Sequence, residues 1–366
     1  MERIFPGDVM SKRERVEAAL DLQPVDRVPI LEQLSYNPRV IAHYTGKPIE
    51  GFEYTVEDIC AVIRRTLDLA MPPLAPVGTE RVTSADDFVH QHDNWTTWRV
   101  SRPFDDVPGA RAWLERRTEA IATAGFDADA ARAEFRRSMT NLQGMIGETV
   151  ILRYHSVGLC SAWDPIGLKL FSYLIHDCPE VFGEYMQVSG TSEARWVQAV
   201  ADRELSPVAM IADDFATKQG PIFPPGFMRR YHYPQVEAST AAWHEAGVKL
   251  LYHSDGNYRE ALPDLMACGV DGCYCLEPAV GMDIVDLKRT WPGMVWAGGV
   301  DGVDLMERGT PAQVRAEVRR QIEQTDALHT GGMVVASSSE INPPIPAENF
   351  RAMVEAVGEL TNPRLA

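Results

Sequence analysis

The densest chemistry in the chain is His253-Ser254-Asp255-Gly256-Asn257, which ends the apolar run at residues 248–252. An imidazole and a carboxylate two residues apart can relay a proton, or hold a metal ion through nitrogen and oxygen. Similar endings recur. Apolar runs stop at Glu32, at His155, at the pair Asp213-Asp214, at Glu277, at Asp301 and at Ser338-Ser339-Glu340. Segments this apolar cannot carry unpaired charges inside, because burying one is too costly. Acids and histidines at so many carboxyl ends therefore predict one polar cavity into which all the runs empty. Some have a plainer use as caps for the helices that follow. Asp283, Asp301 and Ser337 fit that use equally well.

What must position these groups is a set of strands. Eight short apolar runs, near residues 30, 69, 152, 210, 251, 274, 297 and 335, alternate with helical segments. Runs of that length, apolar throughout, read as parallel strands covered on both faces. Eight of them with crossover helices predict an α/β fold of the (β/α)8 TIM-barrel type. No G-x-G-x-x-G follows an early strand to favour a doubly wound sheet. Helix signals agree with this plan, for example Ser11 with Glu14 as a capping box.

The whole chain, 1–366, reads as one barrel domain with an insertion at about 79–140. A bare barrel needs roughly 250 residues, so the excess has a place to go. Arg81-Val82-Thr83, Phe88-Val89-His90-Gln91-His92 and Trp95-Thr96-Thr97-Trp98-Arg99-Val100 alternate like small antiparallel strands. Two polar helices, at about 109–123 and 128–137, follow this hairpin in the N-terminal half. Trp95 and Trp98 either wall the cavity or pack within the hairpin.

A net charge of −17 argues against nucleic acid or an anionic membrane as partner. It also disfavours a highly carboxylated substrate. No apolar run reaches the about 18 residues of a membrane span. The opening Met1-Glu2-Arg3-Ile4-Phe5-Pro6 lacks the basic-then-apolar pattern of a signal peptide, so a cytoplasmic protein is expected. Six cysteines are too sparse for a disulfide scaffold. Cys273 and Cys275 alternate on one strand and are expected to share a face as ordinary buried thiols.

Several motifs together resemble the uroporphyrinogen decarboxylase superfamily. They are Asp26-Arg27-Val28-Pro29, Tyr252-His253-Ser254-Asp255-Gly256-Asn257, Leu276-Glu277-Pro278 with Gly281-Met282-Asp283, Gly298-Gly299-Val300-Asp301, and the closing residues 341–350. The likeness runs over nearly the whole chain and implies a homodimer and one of three chemistries. The decarboxylases hold a polyanionic tetrapyrrole with an arginine-rich segment after the first strand. Here no arginine follows Leu31 until Arg39, and Ser339 stands where that branch has a histidine. The thiol-accepting methyltransferases hold zinc with a His-x-Cys pair and a later Cys. The matching positions are His253, Asp255 and Ser339, so two of three soft ligands are replaced. Zinc could still be held through His253 and Asp255, completed by Glu340 or by Asp213 or Asp214. The third branch demethylates methyl ethers, handing the methyl group to a corrinoid protein. That reaction needs an acid or electrophile on the ether oxygen and no thiolate.

These readings converge on a corrinoid-dependent methyltransferase acting on a small methylated donor, most simply a methyl ether. The corrinoid would ride on a separate partner protein, since the chain shows no corrinoid domain. His253 and Asp255 would bind metal or relay the proton, with Asp213, Asp214 or Glu340 as further acid or ligand. Asn257 and Glu277 would orient substrate or the groups around it. Glu32, Tyr36, His155, Trp163, Tyr252, Asp301 and Ser339 are expected to contact substrate or wall the cavity. Two alternatives stand beside this reading: a cofactor-independent decarboxylase or lyase acting on a carboxylic acid, and a non-catalytic ligand-binding barrel.

Overall fold

Eight short parallel strands form the centre of the fold: Leu31–Glu32, Leu69–Ala70, a third in two pieces (Val150–Ile151 and Arg153–His155), Val208–Ala212, Lys249–His253, Gly272–Tyr274, Val295–Val300 and Met333–Ser337. The structure, a computed structural model, describes residues 5–34 and 36–365. Met1, Glu2, Arg3 and Ile4, on which the leader reading partly rests, lie outside the described residues.

Each strand pairs in parallel with the next. Leu31 stands opposite Leu69, Leu69 opposite Val150, His155 opposite Ile211, and His253 opposite both Ala212 and Tyr274. The ring closes where Ile30 bridges Val335, whose amide donates to the Pro29 carbonyl at 2.9 Å. The third strand breaks at Leu152 because it changes partner. Its first piece ladders with the second strand and its last piece with the fourth, as the stagger of a closed barrel requires. The expected (β/α)8 barrel is therefore the fold.

Alternation along the strands sorts the core into two layers. Leu31, Leu69, Leu152, Met210, Leu251, Ala297 and Val334 fill the barrel. Ile30, Ile151, Ile211, Leu250, Trp296 and Val335 point outward to the helices. One expectation is corrected here. Cys273 packs in the outer layer, but the strand ends at Tyr274 and Cys275 takes a left-handed φ of 68°, turning its thiol into the inner layer. The two cysteines do not share a face, because one residue of left-handed backbone reverses the alternation.

The base of the barrel is tied by charge. Arg15 and Arg27 both reach Asp68, at 2.8 and 2.6 Å; Arg15 also grips Asp26 at 2.6 Å and Arg27 grips Asp8 at 2.7 Å. Asp68 and both arginines are buried. The Asp26-Arg27 motif is thus part of a structural clasp.

Between the second and third strands lie the antiparallel strands Arg81–Thr83, Val89–Asp93 and Thr96–Ser101, then helices Val107–Thr123 and Ala128–Ile146. The second helix runs past the expected 137 because Met139 and Ile146 give its last turns an apolar face to bury. A feature not foreseen is a small antiparallel pair after the fourth strand, Ala216–Thr217 with Gly220–Pro221. No helix among the described residues is long and apolar enough to cross a membrane.

Candidate functional site

The parallel register of the fourth, fifth and sixth strands brings their carboxyl ends level. The residues one or two beyond each end, Asp214, Asp255 and Cys275, therefore converge. They meet at the wall of a cavity of about 820 Å³ at the barrel mouth. The turn carrying Asp255 is tightly seated. Gly256 has φ +80°, and a Cβ there would come within 2.7 Å of the Thr217 carbonyl. Its amide donates to Glu277 Oε1 at 2.6 Å, so Glu277 clamps the turn from the sixth strand.

His253 stands between two carboxylates. Its Nδ1 is 3.4 Å from Asp214 Oδ1, and its Nε2 is 3.8 Å from Asp255 Oδ1. These are ion-pair contacts; Nδ1 makes no well-aligned hydrogen bond. Burial alone would lower the imidazole pKa, but Asp214, then Asp255, outweighs it and the group is raised. Asp214 moves the opposite way. Burial would raise it, yet the adjoining His253 and the Asp255 amide hold it below the usual carboxylate range.

Cys275 completes the cluster. Its Sγ lies 3.0 Å from Asp255 Oδ1 and 3.1 Å from the Ser338 carbonyl. One thiol proton cannot serve both acceptors. Burial, with the Asp255 charge beside it, pushes the thiol well above its ordinary value. One ligand atom each from His253, Asp255 and Cys275 lie within 4.8 Å of one another. Nitrogen, oxygen and sulfur donors converging beside a cavity suit a tetrahedral zinc site with an open fourth position. Asp214 behind Nδ1 is the carboxylate that such a histidine commonly carries to fix its ring and tautomer.

Of the residues singled out from sequence, Asp214, His253, Asp255, Glu340, Tyr36, Glu277, Asp301 and Ser339 line the cavity. Asp301 also caps the following turn through the Val303 and Asp304 amides, so both uses hold. The others are placed behind the wall. Asp213 is fully buried and accepts from Ser156 Oγ and from the Val157 and Cys160 amides, capping the helix Leu159–Ile166 from outside. Burial pushes it up to about 6 against those bonds. Tyr252 points outward and bonds His232 and the Asp213 carbonyl. His155 sits between Trp243 Nε1 and Glu193, and Trp163 donates to the Asp214 carbonyl. Asn257 bonds the Arg259 amide, and Glu32 is buried against Ser337. For His155 and Tyr252 the physical reason is alternation, which sends them to the helix layer. Asp213 sits one residue beyond its strand, where the helix amides claim it.

The sequence reading missed Cys275 and Lys218. Cys275 follows a strand end just as Asp255 does, and that position was the available signal. Lys218 enters the cavity lining from the unforeseen hairpin. Trp95 packs at a tilt against the cavity residue Tyr36, with ring centroids 6.3 Å apart, whereas Trp98 is 63% exposed on the outside.

Comparison with known proteins agrees with the architecture. A model of the uroporphyrinogen decarboxylase (URO-D) family matches residues 167–360, just over half of the chain. Among solved structures, a methyltransferase from Methanosarcina mazei superposes with a TM-score of 0.66. The alignment covers 96% of this chain and 99% of that one at 18% identity, a likeness of fold. A probable 3-DHS dehydratase from Bacillus anthracis aligns over 70% of this chain and 93% of its own, at 11% identity, with a TM-score of 0.30 that bears no argument. No curated protein matches the sequence.

Proposed function

The chain belongs to the uroporphyrinogen decarboxylase family, and from that premise we propose that it is a methyltransferase. It takes a methyl group from a small methylated donor, most simply a methyl ether, and passes it to the Co(I) of a corrinoid carried by a separate protein. The observation that carries this reading is the His253–Asp255–Cys275 donor cluster, backed by Asp214, at the wall of the cavity. Its three donors fit zinc, with His253 Nε2, an Asp255 oxygen and the Cys275 thiolate as the holding atoms. When bound, zinc supplies Lewis acidity to the leaving ether oxygen, which departs poorly as a free alkoxide.

The protein's own groups do the rest. Asp214 orients the imidazole by facing Nδ1. Glu277 holds the turn that presents Asp255. Tyr36 and Tyr274 give the donor an aromatic wall, and Glu340, with no ion pair among the described residues, faces the same cavity and can relay a proton from solvent to the leaving alkoxide. The wall disfavours a polycarboxylate. Among the described residues that line it, Lys218, Arg308 and, when protonated, His253 face six carboxylates, and Arg308 is already paired with Asp304 at 3.0 Å.

Elemental analysis of the purified chain with His253→Ala, Asp255→Ala and Cys275→Ser tests this directly. About one zinc per chain, lost in all three variants, is the expected result. It would be followed by methyl-ether demethylation that requires an added corrinoid protein. A folded, metal-free wild-type protein would refute the Lewis-acid role and leave the His253 imidazolium as the acid. Turnover of a carboxylic acid with no corrinoid present would replace the methyltransferase by the lyase.

A further inference from the structure

Glu32 ends the first strand and is completely buried. Its Oε1 accepts from the Ser337 amide at 2.6 Å, and its Oε2 lies 2.9 Å from Ser337 Oγ. That hydroxyl also touches the Ser339 carbonyl oxygen. A serine hydroxyl has one proton, and a carbonyl oxygen can only accept. With the serine proton on Ser339, the contact between Oε2 and Oγ has no hydrogen unless the carboxyl brings one. An ionised Glu32 would set two electron-rich oxygens against each other where, among the described residues, no cation pairs with it. The titratable groups that face it are Glu340, on the segment after the eighth strand, and Tyr274, on the sixth; neither offers a positive charge.

We propose that Glu32 is kept as a neutral carboxylic acid whose O–H donates to Ser337, and that this bond positions the 337–340 segment forming one wall of the cavity. Glu32 does not line the cavity, so it is a positioning residue. The segment it holds is tied again at Ser338. Ser338 Oγ accepts from the Gly302 amide at 3.0 Å, the Ser338 carbonyl meets the Cys275 thiol, and Ser339 and Glu340 face the cavity. There is little slack, because a Cβ on Gly302 would stand 2.3 Å from Ser339 Oγ. Ionising Glu32 removes the donor from the first tie and places a charge beside Glu340.

The electrostatics agree with the geometry. Burial, only partly offset by the Ser337 bonds, pushes Glu32 up to about 8 from an ordinary 4.5. For an acid raised on folding, the stabilising contribution is complete below the unfolded value and is lost as pH rises through the folded one. The window is therefore roughly pH 4.5 to 8.

The assignment does not depend on the methyl-transfer reading, and its test needs no activity. Infrared spectra of the full chain at about pH 7 should show a protonated-carboxyl C=O stretch that fades as the pH passes about 8 and is missing in Glu32→Gln. Asp213, the other carboxyl raised by burial, titrates earlier, near 6. Glu32→Gln keeps both bonds, with its amide N–H donating where the acid O–H did. Its melting temperature should hold between about pH 6 and 9 while that of the wild type falls. Parallel melting curves for the two proteins would overturn the proposal. So would a wild-type spectrum at pH 7 with no such stretch, a result that decides the matter even if the variant fails to fold.

Discussion

The two ends of the barrel use the same residue types for opposite ends. At the base, Asp8, Asp26 and Asp68 are matched to Arg15 and Arg27 in a buried network in which each guanidinium serves two or three carboxylates. At the mouth, Asp214, Asp255, Glu277, Asp301, Asp304 and Glu340 face one cavity, with Lys218, Arg308 and the His253 imidazole as the basic groups among the described residues that line it. The base network matches acid to arginine and holds strands together; at the mouth several acids are held by amides, an imidazole or Arg308, and their charge stays in excess. Titration separates them further. Burial would raise Asp68, but Arg27 and Arg15 overcome it and hold the group below its ordinary value. Among the described residues no arginine pairs with Asp213 or Glu32; hydrogen bonds, and at Asp213 also His155, offset burial only in part, and burial wins at both.

The contrast can be broken at either end. Asp68→Ala should have the largest effect, a loss of about 3–5 kcal/mol, because it strands two buried guanidinium groups. Denaturant titration reads it, and a loss below about 1 kcal/mol would mean that the clasp is not structural. Asp255→Ala should do the reverse. Its side chain is 64% exposed, so stability should change by less than about 1 kcal/mol while zinc and turnover are lost. Asp214→Asn is a milder probe. It keeps the shape but weakens the hold on Nδ1, and zinc affinity should fall about 10- to 100-fold.

The pH response sharpens the comparison with smaller effects. Asp26 and Asp68 have lowered values, so their stabilisation is present above the ordinary 3.8 and is lost as pH falls through the folded values. Asp213 has a raised value, so its contribution is complete below 3.8 and is lost as pH rises through about 6. Amide exchange resolved by peptide should show the base loosening first in acid, and the 156–160 segment loosening first as pH rises past 6. The smallest effect expected is at Trp98. Exposed on the outer face of the insertion, it should change stability by less than about 0.5 kcal/mol on replacement by Ala, read by the same denaturant titration.

Much of this was legible in the chain. Eight apolar runs with polar endings specify a barrel and the end at which polar groups gather, because hydrophobic periodicity and the cost of buried charge act locally and leave a local record. His253 and Asp255 were readable for the same reason. Which acids reach the cavity was not. Asp213 and Asp214 are neighbours of one type, yet the first caps a helix and the second faces His253, a choice made by amides that lie more than fifty residues away in the chain. Cys275 was hidden by one left-handed residue, since alternation alone sends its thiol the wrong way.

By itself, then, the sequence determined the strand count, their parallel sense and the kind of groups at their carboxyl ends. Tertiary structure decided which of those groups meet, that a cysteine joins His253 and Asp255, and that Glu32 faces a serine from the last strand. Those outcomes depend on strand register and on hydrogen bonds between distant segments, and neither is written in the spacing of residues along one strand.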